Sequence, residues 1–184
     1  MYVVSEAAPT KGVRLANKPK ISRLNLKGAK AMGKVSLMFY KKDCMGCHAC
    51  EIACKQEHGL GVGPRLVRVI EDSPDYYPVY CHHCAKAPCK EACPVDAIFR
   101  NDQGIVLIDK DLCIGCMECM EACPFGAMQY EENEEIAVKC DLCVDRLADD
   151  KLPACMSVCP TGCIHFGEKK SIAAVFERTA WPED

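Results

Sequence analysis

Hydrophobic residues in this chain come in short bursts and never in one long run. Val35 to Tyr40 and Leu66 to Ile70 are dense in β-branched and aromatic residues, the second bounded by Pro64 and Pro74, and both predict strands. Asp96 to Ile108 has apolar ends around Asn101-Asp102-Gln103-Gly104, the turn chemistry of a hairpin. Ala127 to Val138, interrupted by Glu131-Glu132-Asn133-Glu134-Glu135, predicts a second hairpin. Ala49 to Glu57, Lys86 to Ala92 and Met117 to Ala122 predict short helical turns. The fold class that follows is α+β. Residues 1 to 34 scatter Pro, Gly and Lys without periodicity and predict an extended arm. At the other end, Lys169 to Glu177 predicts one amphipathic helical segment with Ile172, Val175 and Phe176 on one side, and Trp181 is a candidate anchor.

Composition makes this pattern look thin. The chain has 184 residues, of which 49% count as hydrophobic, but that figure includes 17 cysteines, and only 7% are aromatic. Side-chain packing alone is a poor way to hold such a body together, so cross-links are expected. No stretch approaches the roughly 18 apolar residues of a membrane-spanning helix. The N-terminus lacks the apolar block of a secretory signal, and no adjacent Arg pair occurs in the first 42 residues, which predicts a cytoplasmic location. In a reducing compartment an odd number of cysteines argues against a disulfide framework.

The near-neutral net charge of −3 hides an asymmetry: residues 1 to 42 hold ten of the 23 basic residues and one acid, a formal +9, leaving −12 on the remainder. Arm and body are therefore different objects.

The cysteines fall into four groups of four with one left over. Cys44, Cys47, Cys50 and Cys54 are spaced C-x2-C-x2-C-x3-C. Cys81, Cys84, Cys89 and Cys93 are spaced C-x2-C-x4-C-x3-C-P. Cys113, Cys116, Cys119 and Cys123 follow C-x2-C-x2-C-x3-C-P, and Cys140, Cys143, Cys155 and Cys159 follow C-x2-C-x11-C-x3-C-P. The third spacing is the bacterial ferredoxin run for [4Fe–4S] clusters, in which the fourth cysteine serves the other cluster of a pair. An internal repeat runs through the last three groups: Cys-Pro, two residues, a small residue and an aliphatic one. In that register the odd Cys163 stands where Ala97 and Ala127 stand, so it reads as a small buried residue.

From Cys44 to about Phe166 the whole pattern resembles the four-cluster iron–sulfur subunits of the dimethyl sulfoxide reductase type. The resemblance implies two interleaved ferredoxin-like modules carrying four [4Fe–4S] clusters, with groups one and four exchanging their last cysteine, and groups two and three likewise. The implied ligand sets are Cys44, Cys47, Cys50 with Cys159; Cys140, Cys143, Cys155 with Cys54; Cys81, Cys84, Cys89 with Cys123; and Cys113, Cys116, Cys119 with Cys93. The iron is held through these cysteines alone. The body then spans 35 to 168, with an outer module of 35 to 80 and 136 to 168, an inner module of 81 to 135, and a tail of 169 to 184.

Tetracysteinyl clusters offer one-electron transfer and no vacant site for substrate, and the chain has no Gly-x-Gly-x-x-Gly, phosphate-binding loop, nucleophile elbow or His-Glu-x-x-His. An electron-transfer subunit is expected, not a catalyst acting alone. The partners expected are a large catalytic oxidoreductase subunit, foremost a tungsten or molybdenum pterin enzyme of the aldehyde oxidoreductase type, and a further electron donor or acceptor. Hydrogenase, formate dehydrogenase and carbon monoxide dehydrogenase systems are alternatives, as is a freely diffusing polyferredoxin. A zinc module is the remote rival: zinc sites pair two separated Cys-x2-Cys units, whereas here three cysteines crowd together. The acidic body argues against nucleic-acid binding. His48, His82 and His83 lie among the cysteines, where an N–H could bond a cluster sulfur, with loop packing as the plainer role.

Overall fold

The computed structural model describes residues 34–172. Its elements alternate through the chain as β1 (Val35–Phe39), α1 (Ala49–Glu57), β2 (Val67–Asp72), β3 (Asp75–Tyr80), α2 (Pro88–Glu91), β4 (Ile98–Arg100), β5 (Val106–Ile108), α3 (Glu118–Glu121), β6 (Gln129–Glu131), β7 (Ile136–Val138), α4 (Val144–Ala148), α5 (Ala154–Val158) and β8 (Ile164–Glu168). This is the mixed content of small strands and short helices expected of a ferredoxin-like body. The arm through residue 33, and Val175, Phe176 and Trp181 of the tail, lie outside the described residues; residues 169–172 begin a helical turn.

All the strands pair antiparallel in four two-stranded ribbons. Three are local hairpins: β2 with β3, β4 with β5, β6 with β7. The fourth joins the ends of the body, β1 with β8, from Val35 opposite Glu168 to Phe39 opposite Ile164. Helix α1 likewise packs on α5, and α2 on α3. Segments distant in sequence are thus tied by strand pairing and by helix contact.

Two expectations need correction. Pro74 does not end the β-structure after Ile70: it sits in a tight turn, the first strand runs on to Asp72, and β3 returns through Tyr80. A proline serves a turn as well as a boundary. The acidic run of 131 to 135 is not all interruption: Glu131 is the last residue of β6, and its buried carboxylate accepts bonds from the Asn133 N–H and Nδ2, closing the hairpin from within.

Two small apolar clusters hold the body. One gathers Val35, Leu37, Val67, Ile105, Leu142, Leu147, Ile164 and Phe166; the other gathers Ala87, Ile98, Val106, Met128 and Ala137. Cysteines occur in both, so the core and the site are one packing problem.

The backbone around the cysteines repeats a device. In every group the residue just before the second cysteine has a left-handed conformation: Gly46 at φ +68°, His83 at +46°, Gly115 at +67° and Leu142 at +61°. Glycine adopts this at no steric cost, whereas another residue loses roughly 1–2 kcal/mol. A side chain at Gly115 would also strike the Glu135 carbonyl oxygen. Gly115→Ala is therefore expected to destabilise the protein by about 2 kcal/mol or more and to lower iron content at the third cysteine group, as checked by thermal unfolding and iron analysis.

Candidate metal centres

Short helices present the cysteines. In α1 a left-handed His48 (φ +55°) turns the chain, so that Cys50 in the first turn and Cys54 one turn later are both buried on one side. Ala87 and Met117, also left-handed, start α2 and α3, which bury Cys89 and Cys119. Cys143 itself is left-handed at the start of α4. Four different groups reach the same result: a loop that folds back, then a turn of helix.

The loops enclose cavities walled by sulfur. One is lined by Cys44, Cys47, Cys50, Cys159 and Cys163. A second is lined by Cys81, Cys84, Cys89 and Cys123, and a third by Cys93, Cys113, Cys116 and Cys119. In each, three thiols come from one group and a fourth from a distant one. The remaining four also lie together: burial raises the Cys54 thiol, with charge on Cys140 and Cys143 adding to it, and burial raises Cys155, with charge on Cys143 and Cys54 adding to it.

Neighbouring sets lie within electrostatic reach of one another in a definite order. Cys54 feels Cys50 of the first cavity, Cys140 feels Cys81 of the second, and Cys119 of the third feels Cys89 of the second. Among the seventeen cysteines only Cys47 and Cys116 are exposed, one in each cavity at the two ends of that order.

The donor chemistry fits an iron–sulfur group. None of the cysteines forms a disulfide. Burial, aided by the Glu51 charge, pushes the Cys50 thiol up to about 12, and burial with its Cys113 neighbour takes Cys119 to about 11. Left to themselves these thiols stay protonated and crowded. A soft cationic core that takes thiolates offsets that cost.

Comparison with known proteins agrees. Residues 73–169, over half of the chain, match the model of the 4Fe-4S dicluster domain, and residues 41–57 match a 4Fe-4S binding domain. The chain belongs to the 4Fe-4S dicluster family. It binds [4Fe–4S] clusters, and the two matches together take in all four cysteine groups. Among curated relatives of this dicluster chain, the formate dehydrogenase iron-sulfur subunit of Wolinella succinogenes is 42% identical over 79 residues, 40% of each chain. Formate hydrogenlyase subunit 2 of Escherichia coli is 47% identical over 76 residues, 40% of this chain and 36% of its own. A putative dimethyl sulfoxide reductase iron-sulfur subunit of Halobacterium salinarum is 34% identical over 106 residues, 46% of this chain and 40% of its own. The matched segments span about 40% of these relatives' length.

The histidines divide. His48 has no N–H left for a sulfur, since Nδ1 meets Glu51 at 3.0 Å and Nε2 meets Glu71 at 2.8 Å. His82 is stacked between Tyr80 and Phe125, with centroids at 4.7 and 4.1 Å, and is a packing residue. His83 is buried: Nδ1 accepts the Val106 N–H at 3.0 Å, and among the described residues Nε2 has no partner. Cys163 is buried, as its place in the repeat implies, with its sulfur 3.5 Å from that of Cys159.

Other contributors gave no sequence signal. His58 brings Nε2 to 3.6 Å from Cys143 Sγ and 3.5 Å from Asp141. Arg100 gathers the carbonyls of His83, Cys84, Ala85 and Gly104, fastening the second cysteine loop to β4. Glu51, buried between two cysteines of α1, accepts the Val69 N–H and bonds Arg65 and His48 at 3.0 Å each, fixing α1 to β2. Burial raises the Glu51 carboxyl, but these bonds outweigh it and hold the group below its ordinary 4.5; His48, bonded by Glu71 and Glu51, is raised above its ordinary 6.5.

The signs define a pH window. The Glu51 contribution is complete above 4.5 and fades as pH falls through its lowered value; that of His48 is complete below 6.5 and fades as pH rises through its raised value. Glu51→Gln is expected to cost about 1–3 kcal/mol within the window, and the gap to the native protein to narrow on both sides of it, as measured by thermal melts across pH.

Proposed function

We propose that the protein is an electron-transfer subunit that carries electrons through four [4Fe–4S] clusters between a large catalytic oxidoreductase subunit and another redox partner. The observation that carries this reading is the arrangement of sixteen cysteines as three-plus-one sets in a linear order whose two ends hold the exposed Cys47 and Cys116. A tetracysteinyl cluster supplies one-electron transfer at a potential set by burial, charge and hydrogen bonds.

The ligand assignment follows the sets: Cys44, Cys47, Cys50 and Cys159; Cys54, Cys140, Cys143 and Cys155; Cys81, Cys84, Cys89 and Cys123; Cys93, Cys113, Cys116 and Cys119. In that order the two end sets carry the exposed Cys47 and Cys116. The pairing of β1 with β8 supports an outer module of 35 to 80 with 136 to 168 around an inner one of 81 to 135.

For the catalytic partner we infer a tungsten or molybdenum pterin enzyme, of the aldehyde oxidoreductase type. The formate dehydrogenase and formate hydrogenlyase names among the relatives favour a second reading, a formate-oxidising complex. The basic N-terminal segment is the arm proposed to lie along such a partner. Among the described residues no helix is long and apolar enough to cross a membrane.

Elemental analysis of the native protein, purified anaerobically with whatever stays bound, is expected to give about 16 iron per chain and tungsten or molybdenum in a co-purifying large subunit. Zinc with little iron would overturn the cluster reading, and a lone 20.3 kDa species would replace the subunit by a free polyferredoxin.

The crossing ligands are tested separately. Cys54→Ser is expected to remove or convert the cluster held by Cys140, Cys143 and Cys155 and to spare the one at Cys44, Cys47 and Cys50, as read by electron paramagnetic resonance and iron content.

A further inference from the structure

The second cysteine loop contains an anomaly that ligation does not account for. Gly46 and Gly115 occupy the left-handed position before the second cysteine of groups one and three, yet group two puts His83 there. Leu142, the other exception, fills the core at 1% exposure. His83 instead brings a polar imidazole into a buried place, and strained backbone held at a functional site points to a role for the side chain.

Its hydrogen bonds narrow that role. A backbone N–H can donate only to an unprotonated ring nitrogen, so the Val106 N–H at Nδ1 leaves the imidazole proton on Nε2. That Nε2–H is buried, and among the described residues its atom is the one buried side-chain polar atom without a partner. A buried unpaired donor costs about 1–3 kcal/mol. Two cavities flank the ring. One carries the basic Lys34, Arg100 and Lys169, with the Ser36 side chain; the other is walled by Cys81, Cys84, Cys89 and Cys123. Sulfur acceptors lie on the second side.

The same peptide holds a buried cation. Lys139, 5% exposed, donates its ammonium to the Val106 carbonyl and to the Cys140 carbonyl at 2.9 Å, and among the described residues no carboxylate pairs with it. Burial raises both the Cys89 thiol and the Cys140 thiol, which belong to adjacent sets, and the Lys139 charge works against that rise at each. An uncompensated buried charge is costly, and the anionic thiolates on either side are the counter-charges within reach.

We propose that the Val106 edge of β5 sets reduction potential at the step between the two modules: His83 donates its Nε2–H to a sulfur of the cluster held by Cys81, Cys84, Cys89 and Cys123, and Lys139 places a fixed positive charge between that cluster and its neighbour at Cys54, Cys140, Cys143 and Cys155. Both effects stabilise the reduced, more negative state. The inference rests on the four-cluster reading above. It adds a division of labour, with His83 acting on one cluster and Lys139 on two.

The test is a redox titration of the anaerobically purified full chain followed by electron paramagnetic resonance. With native iron content, His83→Phe is expected to lower one couple, shifting its reduced-to-oxidised ratio about tenfold at fixed potential, which is about 59 mV for one electron. His83→Gln, which keeps a donor, is expected to restore most of it. Lys139→Met and Lys139→Gln are both expected to lower two couples, because the second keeps a hydrogen bond but not the charge. In protein carrying 15N-labelled histidine, pulsed resonance on the reduced native clusters is expected to detect a nitrogen coupling that His83→Phe abolishes. That native measurement stands even where a variant fails to load iron.

Native couples that stay unmoved in iron-replete variants, or a nitrogen coupling indifferent to His83, would overturn the proposal and leave His83 bonded to water or Ser36. A native protein with no reducible clusters would instead sink the electron-transfer reading itself.

Discussion

Four sulfurs must close on each small cavity, and in each visible cavity three come from one short run while the fourth arrives from a run far along the chain. The rest of the body follows from that constraint. A cysteine four residues beyond its loop can reach a distant set only if a helical turn carries it there, which is the role of α1, α2 and α3. The helices then meet across the body, α1 with α5 and α2 with α3. Strand pairing is subordinate: four two-stranded ribbons have no sheet large enough to organise a fold, and isolated hairpins are marginal in water.

The same constraint explains a core so poor in large residues. Cysteines take places in both apolar clusters that leucine or phenylalanine would fill elsewhere. Burial that drives their thiols upward, as at Cys50 and Cys119, makes the thiolate form that a cluster needs costly until the cationic iron binds it. Cluster binding and folding are therefore one free-energy change, and loss of a single ligand is felt by packing as well as by chemistry.

Much of this was legible in the sequence because cysteine spacing and local turn chemistry are short-range signals. Helix α1 spans the expected Ala49 to Glu57, and both hairpins after groups two and three lie where Asn-Asp-Gln-Gly and the acidic run placed them. The return strand β3 was missed because Pro74 serves turns and boundaries alike. Strand β8 and helices α4 and α5 escaped because their signals are weak alone; β8 exists by pairing with β1, and α5 packs on α1. At the site the spacing marked the cysteines that the loops bring to common cavities, but no spacing rule could tell His48, consumed by Glu51 and Glu71, from His83, which keeps a donor free.

Position within the linear order gives those invisible residues their weight. The end sets hold exposed cysteines, so water and a docked partner help to set the local field there. The middle sets hold no fully exposed cysteine, and beside them His83 and Lys139 are buried, so that a fixed charge or a single donor there acts more strongly than in water. His83 and Lys139 both lie at the junction of the two middle sets, fastened to the N–H and C=O of one residue, Val106. Under the proposed four-cluster reading, these buried groups give the protein its hold on potential at the step between the two modules. A chain with few apolar residues to spare has spent a strained backbone position and a buried cation at that junction.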